Sequence, residues 1–293
     1  MSDTKNCAFL TLEDPTGFFI YDELTAEPLA ERGWMVTSIP WNQSDVNWDE
    51  FDVVVIRSTW DYQSDVAGFM RVLETIDLSS ARLENPLSIV RWNLDKHYLQ
   101  ELERKGVLIV PTRWLHGLEI SHIESICKEH GVREAIAKPT IGANADDTFR
   151  LPIDASSSNN RVLQAIKCFY DRPVMLQPFI PDVIATGEHS LFYFGGQFSH
   201  CVLKTPTTGD FRVQEEHGGL IETAVPAKDL LAAGQRVIDA IGTSLLYARV
   251  DLVRMPDGAP ALMEVELIEP SLYFNYDDLS PVKFAEALDR SAD

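Results

Sequence analysis

The stretch that most restricts what this chain can become is a pair of apolar runs near the C-terminus, 246-LYARVDLV-253 and 261-ALMEVEL-267. Between them lies Pro256-Asp257-Gly258-Ala259, with the turn-forming dipeptide Asp-Gly at its centre. A two-residue turn there sets Asp251 directly across from Glu264, and Arg249 across from Glu266. Side chains alternate along a strand, so these four residues share one face, while Val250, Leu252, Met263 and Val265 form an apolar layer on the other. An aspartate opposite a glutamate is a destabilising pair unless a cation lies between them. Asp251, Glu264 and Glu266 are therefore candidate ligands for a hard divalent ion. Mg²⁺ is the expectation, one or two ions with Mn²⁺ as a substitute, since such ions combine a few protein carboxylates with substrate phosphates. Pro256 and Pro260 could lengthen the loop, and one extra loop residue would shift the register and undo the pairing.

The rest of the chain reads as alternating elements. Strands are predicted at 7–13, 34–41 and 53–59, with helices over Tyr21–Gly33 and Ser64–Ile76 between them, although Pro28 can delay or divide the first helix. The run 53-VVVIRST-59 is nearly all apolar, as suits a parallel strand covered on both faces. This gives an open α/β domain over residues 1–90, ending near 84-ENPLS-88. In such a sheet, ligands sit beyond the carboxyl ends of the strands, where 57-RSTWDY-62 lies. Arg57 or Asp61 can face a substrate there. The competing assignment is a helix cap by Ser58 or Thr59 with Trp60 as packing.

A central segment, 91–180, is predicted to hold a helix at 94–106, a strand at 107–112, a helix closed by Gly131, a strand at 135–140, a helix near 160–170 and a strand at 174–180. The remainder, 181–293, reads as antiparallel. Gly195-Gly196 joins two strands into a hairpin, a polar loop spans 205–219 with a short strand across it, and a helix runs from Pro226 to Ile241 before the acidic strand pair.

Composition narrows the function. Basic residues number 25 and acidic residues 45, a net charge of −20, which repels nucleic acids and anionic membranes. The four cysteines have neither CxxC nor zinc-like spacing and read as free thiols in a reducing cytosol. The N-terminus lacks a signal peptide pattern, and no apolar run is long enough to span a bilayer. The expected location is the cytoplasm, and a homodimer is left open. Lys138 stands in the otherwise apolar strand AIAKPT, where a lysine is costly unless its head finds a partner. Gly142, Ala143 and Ala145 follow it, small enough for backbone N–H groups to approach an anion. There is no P-loop and no GxGxxG fingerprint.

The order of these features resembles the ATP-grasp superfamily, in its glutathione-synthetase-like and ribosomal-S6-modification-like branch, over about Asn93 to Phe274. The residues that carry the resemblance are Lys96, the strand lysine Lys138 in AKPT, the loop GANADDTFR, the strand 176-LQPFI-180, 187-GEHSLFYF-194, and the strands 249-RVD-251 and 264-EVE-266. The resemblance implies an α+β fold of two subdomains gripping ATP, preceded by the α/β domain. It implies that Lys96, Lys138, Gly142 and Ala143 contact phosphates and that Gln177, Pro178, Phe179 and Ile180 line the adenine. Glu188, with Asp182 as its rival, lies near the ribose or substrate. Asp251, Glu264 and Glu266 hold magnesium, and Glu266 stands where asparagine is common. Arg212, Arg249 and Lys204 are the implied catalytic cations, and a loop around Gly218-Gly219 closes over the site.

The implied reaction joins a small amino-acid-like carboxylate to an amine through an acyl phosphate, releasing ADP and phosphate. No protein nucleophile is needed, in keeping with the lack of GxSxG or a Cys/His pair. The chain length and the segments RSTWDY and LIEPSLYF also resemble the cycloserine-forming branch, so intramolecular ring closure is included in the expectation. Tyr273 and Phe274 are candidates to line the substrate pocket and Glu269 and Ser271 to read an amino group, against strand-end packing and capping. The alternatives are a non-catalytic ATP-binding regulatory protein and a small-molecule kinase.

Overall fold

The computed structural model describes residues 4–142, 146–154, 159–207, 212–213, 215 and 218–292. The apolar runs of the N-terminal part build a parallel sheet of β1 (Lys5–Thr11), β2 (Trp34–Pro40), β3 (Val53–Ser58) and β4 (Arg82–Glu84), in the order β2-β1-β3-β4. Every residue of β3 is buried, because both faces of this sheet are covered. Helix α1 (Ala26–Ala30) precedes β2, and α2 (Val66–Asp77) packs Phe69, Leu73 and Ile76 against Val54 and Ile56. The helix predicted over Tyr21–Gly33 is a 3₁₀ turn at Asp22–Thr25 followed by α1. Pro28 falls in the first turn of α1, where its missing N–H costs no intrahelical bond.

The predicted helix at 94–106 is divided. Helix α3 (Leu87–Asn93) ends before it, residues 94–97 form a turn, and α4 (Tyr98–Arg104) resumes. In the turn, the Lys96 N–H donates to Thr140 O at 2.8 Å, tying it to the central sheet. The predicted strand at 107–112 is also corrected. Those residues run alongside a later strand, making a single bridge at Ile109, and the strand β5 (Arg113–His116) starts beyond them.

The central sheet is antiparallel, in the order β5-β8-β6-β7, with α5 (Ile120–His130), β6 (Glu134–Pro139), β7 (Phe149–Pro152), α6 (Asn160–Cys168) and β8 (Pro173–Pro178) in sequence. Helices α5 and α6 cover one face, burying Ile123, Ile126 and Val162 against Ala135, Ala137 and Leu176. Alternation then sends Ile136, Lys138 and Gln177 to the opposite face. Gly131 ends α5 with φ +64°, the left-handed cap its sequence position suggests.

After a short α7 (Asp182–Ala185), the C-terminal part forms an antiparallel sheet of β9 (Glu188–Phe194), β10 (Gln197–Thr205), β11 (Leu220–Thr223), β12 (Tyr247–Arg254) and β13 (Pro260–Glu266), in the order β11-β10-β9-β12-β13. Both Gly195 and Gly196 have positive φ, as a two-residue hairpin turn of the favoured hand requires. The short strand expected within 205–219 is β11, which begins at Leu220; part of that stretch lies outside the described residues. One face of this sheet packs Leu191, Tyr193, Val250 and Val265 with α4 and α8 (Lys228–Ile241). The other face is divided. Phe192, Phe194 and Tyr247 meet the first sheet and α9 (Ser280–Ala292), while the charged half stands free to face the central sheet. No helix among the described residues is long and apolar enough to cross a membrane.

Candidate active site

The acidic strands β12 and β13 pair as the sequence requires at the critical positions, but by a different route. Asp251 is opposite Glu264, and Arg249 is opposite Glu266. The connection is not a two-residue turn: Arg254 pairs with Pro260, so the loop covers Met255–Ala259. That lengthening moves the register by one residue, and a bulge at Met263 moves it back between Leu252 and Asp251. The bulge also corrects the placement of Met263, which lines the cleft rather than joining the apolar far face.

The outer edge of β13 is held by side chains rather than by another full strand. Asn93 Nδ2 donates to Val265 O at 2.9 Å, and the Leu267 N–H donates to Asn93 Oδ1 at 2.9 Å. The Tyr98 hydroxyl donates to Val265 O at 3.1 Å and accepts from the Val265 N–H at 3.0 Å. Further along, the Leu262 N–H donates to Leu108 O at 2.8 Å and the Val110 N–H to Leu262 O at 3.0 Å. These buried bonds satisfy an edge that would otherwise be open to pairing, and they fix the height at which Glu264 and Glu266 enter the cleft.

Most of the charge in the cleft is paired within the protein. Asp251 accepts from Lys204 Nζ at 3.2 Å, from Arg249 Nη2 at 3.0 Å and from the Ser190 hydroxyl. Lys204 Nζ also meets Glu188 at 2.6 Å. Lys96 Nζ reaches Glu264 at 3.1 Å and donates to Gly142 O at 2.6 Å, and Arg249 also grips Glu266. Burial alone would raise the Asp251 carboxyl, but Arg249 and Lys204 outweigh it and hold it down at about 2. Glu264, likewise buried, is lowered by Lys96 and Lys138. For Glu266 burial wins over Arg249, pushing it up to about 7. Lys138 differs. Among the described residues it has no ion pair; its Nζ lies 4.0 Å from Met263 Sδ, and burial lowers its pKa.

The candidate residues converge. Lys96, Lys138, Gly142, Gln177, Pro178, Phe179, Ile180, Glu188, Lys204, Arg212, Arg249, Asp251, Glu264 and Glu266 all line one cleft between the central and C-terminal sheets. Asp182 is not among its lining residues, and Ala143 lies outside the described residues. Three carboxylates do face one another, yet no group of three or more His, Cys, Asp or Glu among the described residues is gathered at metal-holding geometry. The cations present between them are lysine and arginine side chains. Gln177 donates to the Thr112 hydroxyl at 2.9 Å, and Phe179 is covered by the Arg150 guanidinium, 3.9 Å from its ring centre.

Three assignments from sequence change. Arg57 does not face a substrate: it is fully buried, bonds Asp22 at 2.7 Å and sits among Tyr247, Phe274 and Phe284. Asp61 accepts from Trp41 Nε1 at 2.6 Å, and the cap of α2 is Asp65, not Ser58 or Thr59. The segment reaches the cleft instead through Trp60 and Tyr62. At the chain's other approach, Glu269, Ser271 and Tyr273 line the cleft, whereas Phe274 packs in the core against Phe194 and Phe284. Asn93 also lines the cleft without having been singled out from the sequence, and Asp146 and Thr148 line it as members of the loop GANADDTFR. Asn93 carried no charge or spacing signal, and its role depends on a strand 172 residues away.

Comparison with known proteins finds relatives across most of the chain. Residues 7–85 match the family described as D-cycloserine synthetase DcsG, N-terminal domain, and residues 108–271 match prokaryotic glutathione synthetase, ATP-grasp domain. The chain is 31% identical over 262 residues to the cycloserine biosynthesis protein DcsG of Streptomyces lavendulae, covering 85% of this chain and 86% of that one. A glutathione synthetase of Bordetella parapertussis is 23% identical over 248 residues, covering 83% and 74%. Among solved structures, D-cycloserine synthetase DcsG superposes with a TM-score of 0.85 at 27% identity, covering 98% of this chain and all of that one. D-alanine–D-alanine ligase from Bacillus anthracis gives 0.69 at 13% identity, covering 98% and 97%, a likeness of fold.

Proposed function

The chain belongs to the ATP-grasp ligases, enzymes that form C–N bonds with release of ADP, and from that premise we propose that it activates the carboxylate of a small amino-acid-like substrate as an acyl phosphate and passes the acyl group to an amine. The observation that carries this reading is Lys138, which makes no ion pair among the described residues, beside a cluster of paired cations in one cleft. A half-buried ammonium with no carboxylate in direct contact is unfavourable, and a nucleotide phosphate would relieve it.

In this reading a substrate carboxylate oxygen attacks the γ-phosphorus of ATP. The bond from that phosphorus to the bridging oxygen breaks, and ADP leaves. The amine nitrogen then attacks the acyl carbon, the bond to the phosphate oxygen breaks, and inorganic phosphate and one proton are released. Lys96 and Lys138 contact the ATP phosphates. Arg249 and Arg212 stabilise the transferred phosphoryl group, and Lys204 keeps Asp251 ionised. Fixed cations aimed at developing charge need no reorganisation during transfer. Ile136, Phe179, Ile180, Val213 and Met263 supply apolar walls for the adenine.

The oxygen-only donors Asp251, Glu264 and Glu266 fit a hard divalent ion. Bound there, magnesium would neutralise phosphate oxygens, with one ion or two both compatible with the donor set. Its uptake would replace part of the pairing these carboxylates make with Lys96 and Arg249. The ring-closing version, with acid and amine in one molecule, is favoured by the match of residues 7–85 to the N-terminal domain of DcsG.

The test is release of ADP by the purified protein with Mg²⁺, ATP and pools of amino-acid-like substrates. Release that depends on both the pool and Mg²⁺ supports the reading. A product lighter than a single substrate by one water identifies ring closure. A stable phosphorylated product without free phosphate would replace ligation by a kinase reaction.

A further inference from the structure

Where β5 begins beside β8, Arg113 pairs with Leu176, and the next pair outward is Thr112 with Gln177. Gln177 Nε2 donates to the Thr112 hydroxyl at 2.9 Å, and that hydroxyl donates to Val110 O at 2.7 Å. A threonine hydroxyl carries one proton. Val110 is buried, and its carbonyl receives no other donor among the described residues. The proton therefore goes to Val110 O, because a buried carbonyl without a donor is costly. The hydroxyl can then only accept from Gln177, which fixes the way the amide points. Its NH₂ end is turned to Thr112 and its carbonyl end away.

Alternation puts Gln177 on the cleft face of the central sheet, across from Ile136, and Phe179 and Ile180 follow it along the same wall. The other side-chain amide lining the cleft, Asn93, gives both of its ends to β13. Gln177 Oε1 makes no hydrogen bond among the described residues, and it is not one of the orphaned polar atoms sealed inside the protein. It is an acceptor open at an apolar wall, with its direction fixed before a ligand arrives. Lys138 stands two residues beyond Ile136 on the same face of β6. A neutral acceptor among apolar side chains thus lies one step along the sheet from the lysine given to the phosphates.

We infer that Thr112 is a positioning residue that locks the Gln177 side chain as an acceptor-only contact, and that this contact selects a nucleobase bearing an exocyclic amino group over one bearing an oxo group at the same place. This rests on the proposed ligase reaction, in which these walls hold the base of ATP, and adds the side-chain pair that decides which base is accepted. A base amino group donates to Oε1. A base carbonyl there sets two acceptors against each other with no proton between them. A glutamine free to turn would meet the carbonyl with its NH₂ end and accept either base. Thr112, committed to Val110 O, removes that freedom.

The test is calorimetric binding, with Mg²⁺, of non-hydrolysable analogues of ATP and of inosine triphosphate, whose base carries oxygen in place of the 6-amino group of adenine and has no 2-amino group. The wild-type protein is expected to bind the adenosine analogue about 100-fold more tightly than the inosine analogue. Thr112→Val keeps the shape and removes the hydroxyl; the ratio is expected to fall to about tenfold or less, with the inosine analogue gaining affinity as the amide is freed. Thr112→Ser, which keeps the hydroxyl, is expected to retain the wild-type ratio. Gln177→Met, similar in size and without the oxygen, is expected to lower the ratio as Thr112→Val does, so the test stands where Thr112→Val fails to fold. Equal binding of the two analogues by the wild-type protein overturns the inference and leaves the ligase reading intact. So does a Thr112→Val protein that weakens both analogues alike, since a purely structural role moves the affinities and not their ratio. A wild-type ratio in Gln177→Met overturns it as well. A wild-type protein that binds neither analogue would instead overturn the ligase reading.

Discussion

At the scale of single residues, the cleft is organised by which charges have partners. Lys138 has none among the described residues, and burial already disfavours its charged form. Replacing it with alanine breaks no ion pair among the described residues, so Lys138→Ala is expected to keep its fold while losing about 100-fold or more in ATP-dependent ADP release. Circular dichroism and steady-state kinetics on the same sample check both halves; wild-type turnover would remove Lys138 from the phosphate site. His200 illustrates the opposite case, a buried base away from the cleft. Its ring stacks on Phe192 with centres 4.3 Å apart, its Nε2 lies 3.1 Å from Leu272 O, and burial lowers its pKa to about 4. In the unfolded chain the imidazole binds a proton near pH 6.5, and in the folded protein only near 4. Stability from this residue is therefore present above pH 6.5 and is lost as pH falls toward 4, by roughly 3 kcal/mol. The difference between wild type and His200→Gln in urea-unfolding free energy, measured from pH 7 to 4.5, should shrink with that sign. A difference independent of pH would show that His200 is not held neutral.

At the scale of elements, β13 and what holds its outer edge determine where the acids stand. Asn93 makes two buried hydrogen bonds to the backbone on either side of Glu266. Asn93→Ala leaves the buried Leu267 N–H unsatisfied, while Val265 O keeps its bond from the Tyr98 hydroxyl, and is expected to cost about 2 kcal/mol in equilibrium unfolding. It should also weaken Mg²⁺ dependence, because Glu266 loses its fixed height; an unchanged Mg²⁺ titration would separate the edge from the site. The acidic pairing was legible in the sequence because alternation puts Arg249 with Asp251 on one face of β12 and Glu264 with Glu266 on one face of β13. The bulge at Met263 was not. It compensates for the longer Met255–Ala259 loop, and the need for compensation is visible only once β13 is paired with β12. The split between α3 and α4 was equally hidden, since residues 94–97 have no strong breaker and their turn is stabilised by Thr140, across the cleft.

At the scale of the whole molecule, the cleft is a joint product of three sheets. The central sheet contributes Lys138 and Gln177, the C-terminal sheet contributes the acids, Lys204 and Arg249, and the first sheet reaches in through Trp60 and Tyr62. Tyr247 helps fix the first and third together: its hydroxyl is 2.8 Å from Ile56 O and 2.7 Å from Ile268 O. A ligand bound across these parts stabilises only the folded state. An ATP analogue with Mg²⁺ at about 100 times its dissociation constant should therefore add about 2.7 kcal/mol. Thermal unfolding of the wild type should shift upward accordingly, and that of Lys138→Ala far less at the same concentration. An equal shift in both would place the nucleotide away from Lys138.

By itself the sequence determined the faces. Period-two alternation fixes which side chains share a face along an unbroken strand, and with it came the acidic strands, the lone strand lysine and the α/β beginning of the chain. Only the tertiary structure decided which charges are paired and which wait for a ligand. Ion pairing depends on distances between elements far apart in the chain: Lys96 with Glu264, Lys204 with Asp251, and Arg57 turned inward to Asp22. No local pattern encodes those separations; they follow from how three sheets pack around a common cleft.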